Sequence, residues 1–231
     1  METVGINKLL NLDFQVNEAY KTLRSNILFC GNDIKVIGLT SCTPNEGKSN
    51  VSLNLAISLA EAGKKVVFID ADLRKSVIMG RYKINKAVRG FSHYLSGINT
   101  KEEVIYKANT DNLYVILSGP VPPNPSELLG GEPFTDLVKN LEEEYDYVII
   151  DTPPLGSVID SAVIAKVCDG MVLIIEANSI SYKFAQRVKE QLTKTGCRIL
   201  GTVLNKVDMS EKGYCGKYYG KYYDKHYEKL R

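Results

Sequence analysis

Short apolar runs alternate with segments of helical period along most of this chain, and that alternation limits the fold more than any other feature. The strand candidates are KVIGLT (35–40), KVVFID (65–70), LYVILS (113–118), YVII (147–150), GMVLIIE (170–176) and RILGTVLN (198–205). Several are apolar almost throughout, as strands are when both faces are covered. Between them, the spacing predicts helices around 48–62, 133–144, 159–167 and 181–195, with a further one near 16–29. Such alternation specifies βαβ units. The expected fold class is α/β, a doubly wound and mostly parallel sheet. The stretch SGPVPPNPSELLGG (118–131), dense in Pro and Gly, reads as a long ordered loop near the sheet's edge or mouth.

No linker interrupts the pattern before residue 209, so residues 1–209 are expected to form one domain and 210–231 an appendage. The 231 residues, 44% hydrophobic and 24% charged, suffice for a sizeable core. Runs such as VVFI and MVLII are too short to span a bilayer. The start METVGINKLLNLDF lacks the pattern of a signal peptide, which leads to the expectation of a cytoplasmic protein. Cys30, Cys42, Cys168, Cys197 and Cys215 form no CxxC pair and read as reduced thiols. His93 and His226 are too isolated for a metal site.

The first strand runs directly into SCTPNEGKSN and then into a helical segment. A loop of this kind turns backbone N–H groups and the positive end of a helix dipole toward an anion. In a phosphate-binding P-loop the Lys reaches the β/γ-phosphates and the Ser hydroxyl binds Mg²⁺. Lys48 and Ser49 stand where those roles fall, although Cys42 occupies the first glycine position of GxxxxGK[ST]. Two further strands end in carboxylates: VVFIDADLR carries Asp70 and Asp72, and YVIIDTPP carries Asp151. One Asp after a strand is as readily a cap or turn former. Three of them at two strand ends, joined to a GKS loop, point to a nucleotide site at the sheet's carboxyl edge.

These three motifs together resemble the Walker A, Walker A′ and Walker B motifs of the bacterial tyrosine kinases, within the MinD/ParA-like P-loop ATPases. EAYKTLRSNILF (18–29), RGFSHYLSG (89–97), SGPVPPNPSELL (118–129) and GTVLNKVD (201–208) are similar to the same family. The resemblance implies ATP and Mg²⁺ as cofactors. Asn45, Glu46, Gly47, Lys48, Ser49, Asn50 and Asn205 would line the nucleotide, Lys48 on its phosphates and Asn205 at the purine. Ser49, Asp72 and Asp151 would serve the metal, and Asp70, shared with Asp72, would accept the phenol's proton. Positioning and charge neutralisation are most of what phosphoryl transfer demands.

Departures from the family pattern carry their own chemistry. Pro44-Asn45 replaces the usual Pro-Gly, and Asn is the residue that best tolerates left-handed backbone after Gly. Glu18, Lys21 and Arg24 share one helix face and match the motif used to assemble rings, with Lys in place of the middle Arg. Asn205-Lys206-Val207-Asp208 also spells the guanine-reading NKxD motif of GTPases.

From Tyr214 onward the chain holds Tyr214, Tyr218, Tyr219, Tyr222, Tyr223 and Tyr227, six of its fourteen tyrosines, with a local charge surplus of +3 between Glu211 and Arg231. A packed tyrosine stripe suits neither its glycines nor its lack of aliphatic partners. Lys interleaved with aromatics could bind nucleic acid, and membrane binding asks for more Leu or Trp. Beside a kinase-like core, the favoured reading is a substrate segment. In the family a tyrosine-rich C-terminal cluster is the autophosphorylation site. The resemblance further implies a homo-oligomeric ring, a transmembrane activator acting through its cytoplasmic segment, a cognate tyrosine phosphatase, and a role in capsular or exopolysaccharide synthesis and export at the inner face of the membrane. No nucleic-acid partner is expected. The rival reading is a MinD- or ParA-like switch ATPase; such proteins usually carry a signature lysine where this chain has Thr43.

Overall fold

A computed structural model describes residues 2–6, 14–82, 84 and 89–208. In chain order the elements are β1 (Thr3–Val4), α1 (Phe14–Leu28), β2 (Val36–Ser41), α2 (Lys48–Glu61), β3 (Val66–Asp70), α3 (Ile78–Arg81), α4 (Phe91–Leu95) and α5 (Lys101–Val104). There follow β4 (Tyr106–Ala108), β5 (Leu113–Ile116), α6 (Pro125–Gly130), α7 (Glu132–Glu144), β6 (Tyr147–Asp151), α8 (Asp160–Ile164), β7 (Gly170–Glu176), α9 (Tyr182–Thr193) and β8 (Arg198–Asn205). Among the described residues one sheet holds eight strands in the order β1-β4-β5-β3-β6-β2-β7-β8, and of their pairings only β4–β5 is antiparallel.

The apolar runs become central strands because each feeds two cores at once. Along β3, Val66 and Phe68 pack on the face covered by α1 and α2, while Val67 and Ile69 pack on the face covered by α7. Ile149 of β6 joins the first face, and Val148 and Ile150 the second. That is a period of two hidden inside a continuous hydrophobic run. At the far edge Met171 and Leu173 of β7 meet Val188 and Leu192 of α9. No described helix is long and apolar enough to cross a membrane.

All six expected strands form, with shifts of a residue or two at their ends. The stretch 118–131 corrects the expectation of a long loop: its second half is α6, with Pro125 in the first turn and Asn124 as N-cap. Pro is well placed there because the first helical N–H needs no partner. The two-residue β1 and three-residue β4 are too short to show a period, and so were not anticipated. His93 Nδ1 accepts the Gly90 N–H at 3.0 Å and so helps start α4. The appendage 210–231, with its six tyrosines, Cys215 and His226, lies outside the described residues.

Gly90 and Gly119 cross where the chain leaves β5, backed by Phe91 N–H to Leu117 O at 2.6 Å and Ser92 N–H to Ser118 O at 2.9 Å. A Cβ on Gly90 would stand 2.2 Å from the Gly119 Cα. Gly90→Ala should therefore lower stability by about 2–3 kcal/mol through forced backbone movement. The midpoint of urea unfolding measures it.

Candidate active site

Strand order brings the three motifs together. β6 lies between β2 and β3, so Asp151 has Leu39 as its register partner on one side and Asp70 on the other. The P-loop leaves β2, passes through Asn45 with φ 68° and Gly47 with φ 89°, and enters α2. Both residues sit in the left-handed region that Gly and Asn tolerate. Among the described residues no side chain caps the N-terminus of α2. Its first N–H groups, unpaired within the helix, remain available to an anion.

The loop is bolted from behind. Glu46 is buried, and its carboxylate accepts from the Thr43 N–H at 2.7 Å and the Glu176 N–H at 3.4 Å. Asn205 Nδ2 donates to the Glu46 carbonyl at 2.8 Å. Lys206 Nζ donates to the Asn45 carbonyl at 2.8 Å and pairs with Glu176 at 2.9 Å. A Cβ on Gly47 would meet Asn205 Nδ2 at 2.1 Å, so this glycine is required by close approach as well as by φ. Of the expected nucleotide-lining residues, then, Glu46 spends its side chain on the loop's own scaffold. Asn50 does likewise, its Oδ1 accepting the Tyr82 hydroxyl at 2.7 Å.

Lys48 Nζ lies 2.7 Å from Asp151 Oδ1, with both side chains nearly fully buried, and 3.1 Å from Ser49 Oγ. Ser52 Oγ stands 2.9 Å from the same Asp151 oxygen. Ser52 was missed in the sequence, although it is four residues beyond Lys48 and so on the same helix face. Asp70, also buried, accepts from the Ser76 hydroxyl through Oδ2. Asp72 Oδ1 accepts the Lys75 N–H at 3.0 Å, closing the turn after β3. Asp72 thus has a structural duty in addition to any metal role.

Two oxygens at this site, Asp70 Oδ1 and Asp151 Oδ2, are buried with no hydrogen-bond partner among the described residues. Orphaned buried acceptors cost about 1–3 kcal/mol each and mark a place where something else binds. They suit Mg²⁺, which keeps several waters and takes one or two carboxylates plus phosphate oxygens. Among the described residues no cluster of three or more acidic, His or Cys side chains could hold a metal alone.

The ring-motif residues lie elsewhere, on α1. Lys21 pairs with Glu18 at 2.7 Å on the surface. Arg24 donates to the Ser58 carbonyl in the last turn of α2 at 2.9 Å, where a cation also meets the negative helix end.

Residues 34–200 match a family model described as an AAA domain. The tyrosine-protein kinase CpsD of Streptococcus agalactiae is 42% identical over 200 residues, covering 87% of each chain. The CpsD of Streptococcus pneumoniae serotype 4 is 41% identical over 215 residues, covering 93% of this chain and 95% of the relative. The chain belongs to the bacterial tyrosine kinases. Among solved members of that family, the kinase domain of Escherichia coli ETK superposes with a TM-score of 0.79 at 30% identity, over 88% of each chain. MinD of Pyrococcus horikoshii, complexed with Mg-ADP, shares the fold alone, with a TM-score of 0.66 at 24% identity over 78% of this chain and 73% of that one.

Burial, and then the Asp151 charge beside it, push the Asp70 carboxyl from 3.8 up to about 7, against a smaller pull from Ser76 and Lys48. A carboxylate with a raised pKa costs the fold nothing below its unfolded pKa. The cost grows as pH rises toward 7 and is constant above. At about 1.4 kcal/mol per unit, Asp70→Asn should stabilise the nucleotide-free protein at pH 8 by about 2–4 kcal/mol. The gain should shrink steadily toward pH 4. Urea unfolding of both proteins across that range measures it.

Proposed function

We propose that this kinase transfers the γ-phosphoryl group of ATP to tyrosines of its own C-terminal cluster in trans, and that it serves capsular or exopolysaccharide synthesis and export. The observation that carries the reading is the convergence of Lys48, Asp151 and Asp70 at neighbouring strand ends beside an uncapped helix N-terminus. A basic, tyrosine-rich tail in the same chain supplies the acceptor.

In this reading the loop N–H groups and Lys48 hold the phosphates. Ser49 and Asp151 would hold Mg²⁺, which would supply positive charge against the phosphate oxygens. Lys48, now paired with Asp151, would turn to the phosphates and free that carboxylate for the metal. Asp70 takes the phenolic proton. Its raised pKa suits a base working near neutrality, whereas Asp72 is partly committed to its turn. A phenol ionises near pH 10, so a nearby carboxylate accepting its proton in the transition state is sufficient.

Each phosphotyrosine adds about −1.5 to −2 at pH 7. Two phosphates cancel the tail's surplus of +3, and more make it an anion that the carboxylates Asp70, Asp72 and Asp151 would repel. Phosphorylation thereby releases the tail and loosens any ring assembled through Glu18, Lys21 and Arg24. A transmembrane activator would bring the cytoplasmic enzyme to the inner face of the membrane, and a cognate phosphatase would reset the tail. The purine site near Asn205 is assigned to ATP.

Tail-peptide mass spectrometry of the protein from its own cells tests this, with Lys48→Met as the control in cells lacking the native copy. Phosphate on several of Tyr214 to Tyr227, absent from the control, is the expected result. A bare tail in cells making polysaccharide would sink the reading.

A further inference from the structure

The turn that follows β3 carries one side chain that reaches well outside it. Asp72 closes the turn on Lys75, and Ser76 bonds back to Asp70. Arg74 instead extends to a different part of the chain. Its Nε lies 2.7 Å from Asp160 Oδ2, and its Nη2 lies 3.1 Å from Asp160 Oδ1 and 2.9 Å from Ser126 Oγ. Ser126 in turn donates to Asp160 Oδ1 at 2.6 Å. Asp160 is fully buried, while the Arg74 side chain is 40% exposed.

The connectivity gives this contact its meaning. Asp160 begins α8 and ends the nine-residue segment that leaves Asp151, and Ser126 lies in α6, beyond β5. Three loops leaving the carboxyl ends of β3, β5 and β6 thus meet at one guanidinium. Two of those loops start at Asp70 and Asp151, side-by-side register partners. Like charges so placed repel, and a polyphosphate arriving beside them adds to the load. Something beyond the strand ends must hold the two loops at fixed separation. A half-buried bidentate pair contributes little net stability, but it is well suited to fixing geometry.

Resting on the kinase reading above, we infer that Arg74 is a positioning residue. Clamped to Asp160 and Ser126, it holds the Asp70 turn against the segment that follows Asp151, so that the two carboxylates keep the separation phosphoryl transfer needs. The planar fork is the requirement; a point charge cannot make both contacts to Asp160 and reach Ser126 as well.

The test uses the full chain, comparing wild type with Arg74→Lys and with the double variant Arg74→Gln/Asp160→Asn. The double variant leaves no buried charge unpaired. Steady-state tail phosphorylation is measured with backbone hydrogen exchange over 71–76 and 152–160. Loosened positioning should lower kcat about 10–100-fold in both variants while KM for ATP moves less than about threefold. Exchange in both segments should quicken, with melting temperature nearly unchanged in the double variant. Wild-type kcat in either variant, or unchanged exchange in both segments, overturns the proposal. If wild type hydrolyses Mg-ATP but leaves its tail bare, the kinase reading fails on its own, and the same thresholds apply to hydrolysis. If it does neither, hydrogen exchange decides.

Discussion

Placing β6 between β2 and β3 sets two carboxylates next to each other at the end of a buried sheet, and much of the site answers that constraint. Asp151 is held by Lys48 and Ser52, while Asp70 is held by Ser76 and stays largely protonated up to about pH 7. Without such partners two adjacent buried anions would be expelled or neutralised. The Lys48 ammonium is thereby held on the Asp151 carboxylate, and one oxygen each of Asp70 and Asp151 stays buried with no hydrogen-bond partner among the described residues.

The P-loop shows how an atypical sequence keeps a demanding backbone. Cys42 takes the first glycine position and is simply buried, whereas Asn45 adopts the left-handed conformation that Gly would otherwise supply. The loop does not rely on its own residues for rigidity. Asn205 and Lys206, at the end of β8, grip the carbonyls of Glu46 and Asn45, and the Glu46 carboxylate reaches back to Thr43. The NKxD-like tetrapeptide therefore has a mechanical duty: it ties the end of β8 to the phosphate loop through two hydrogen bonds, one from Asn205 and one from Lys206.

Much of the fold was legible because it obeys local rules. Apolar runs between helical segments announced six of the eight strands, and β1 and β4 escaped only because two or three residues carry no period. The hidden alternation within β3 and β6 could not be seen, since both faces of those strands are apolar. Glu46 and Asn50 are expected at the nucleotide from their place in the loop; their side chains also bond Thr43, Glu176 and Tyr82, partners that spacing within the loop does not reveal.

The sequence by itself determined the chemistry on offer: a GKS loop between strand and helix, aspartates at two strand ends, and a basic tail rich in phenols. Those features depend on residue type and short spacing, which a linear chain displays openly. Tertiary structure alone decided which carboxylate neighbours which, because β6 enters the sheet between two strands that precede it by some 80 residues or more. It also decided that Arg74 would meet Asp160, 86 positions away. Contacts at that separation are set by strand order and core packing, and no local pattern encodes them.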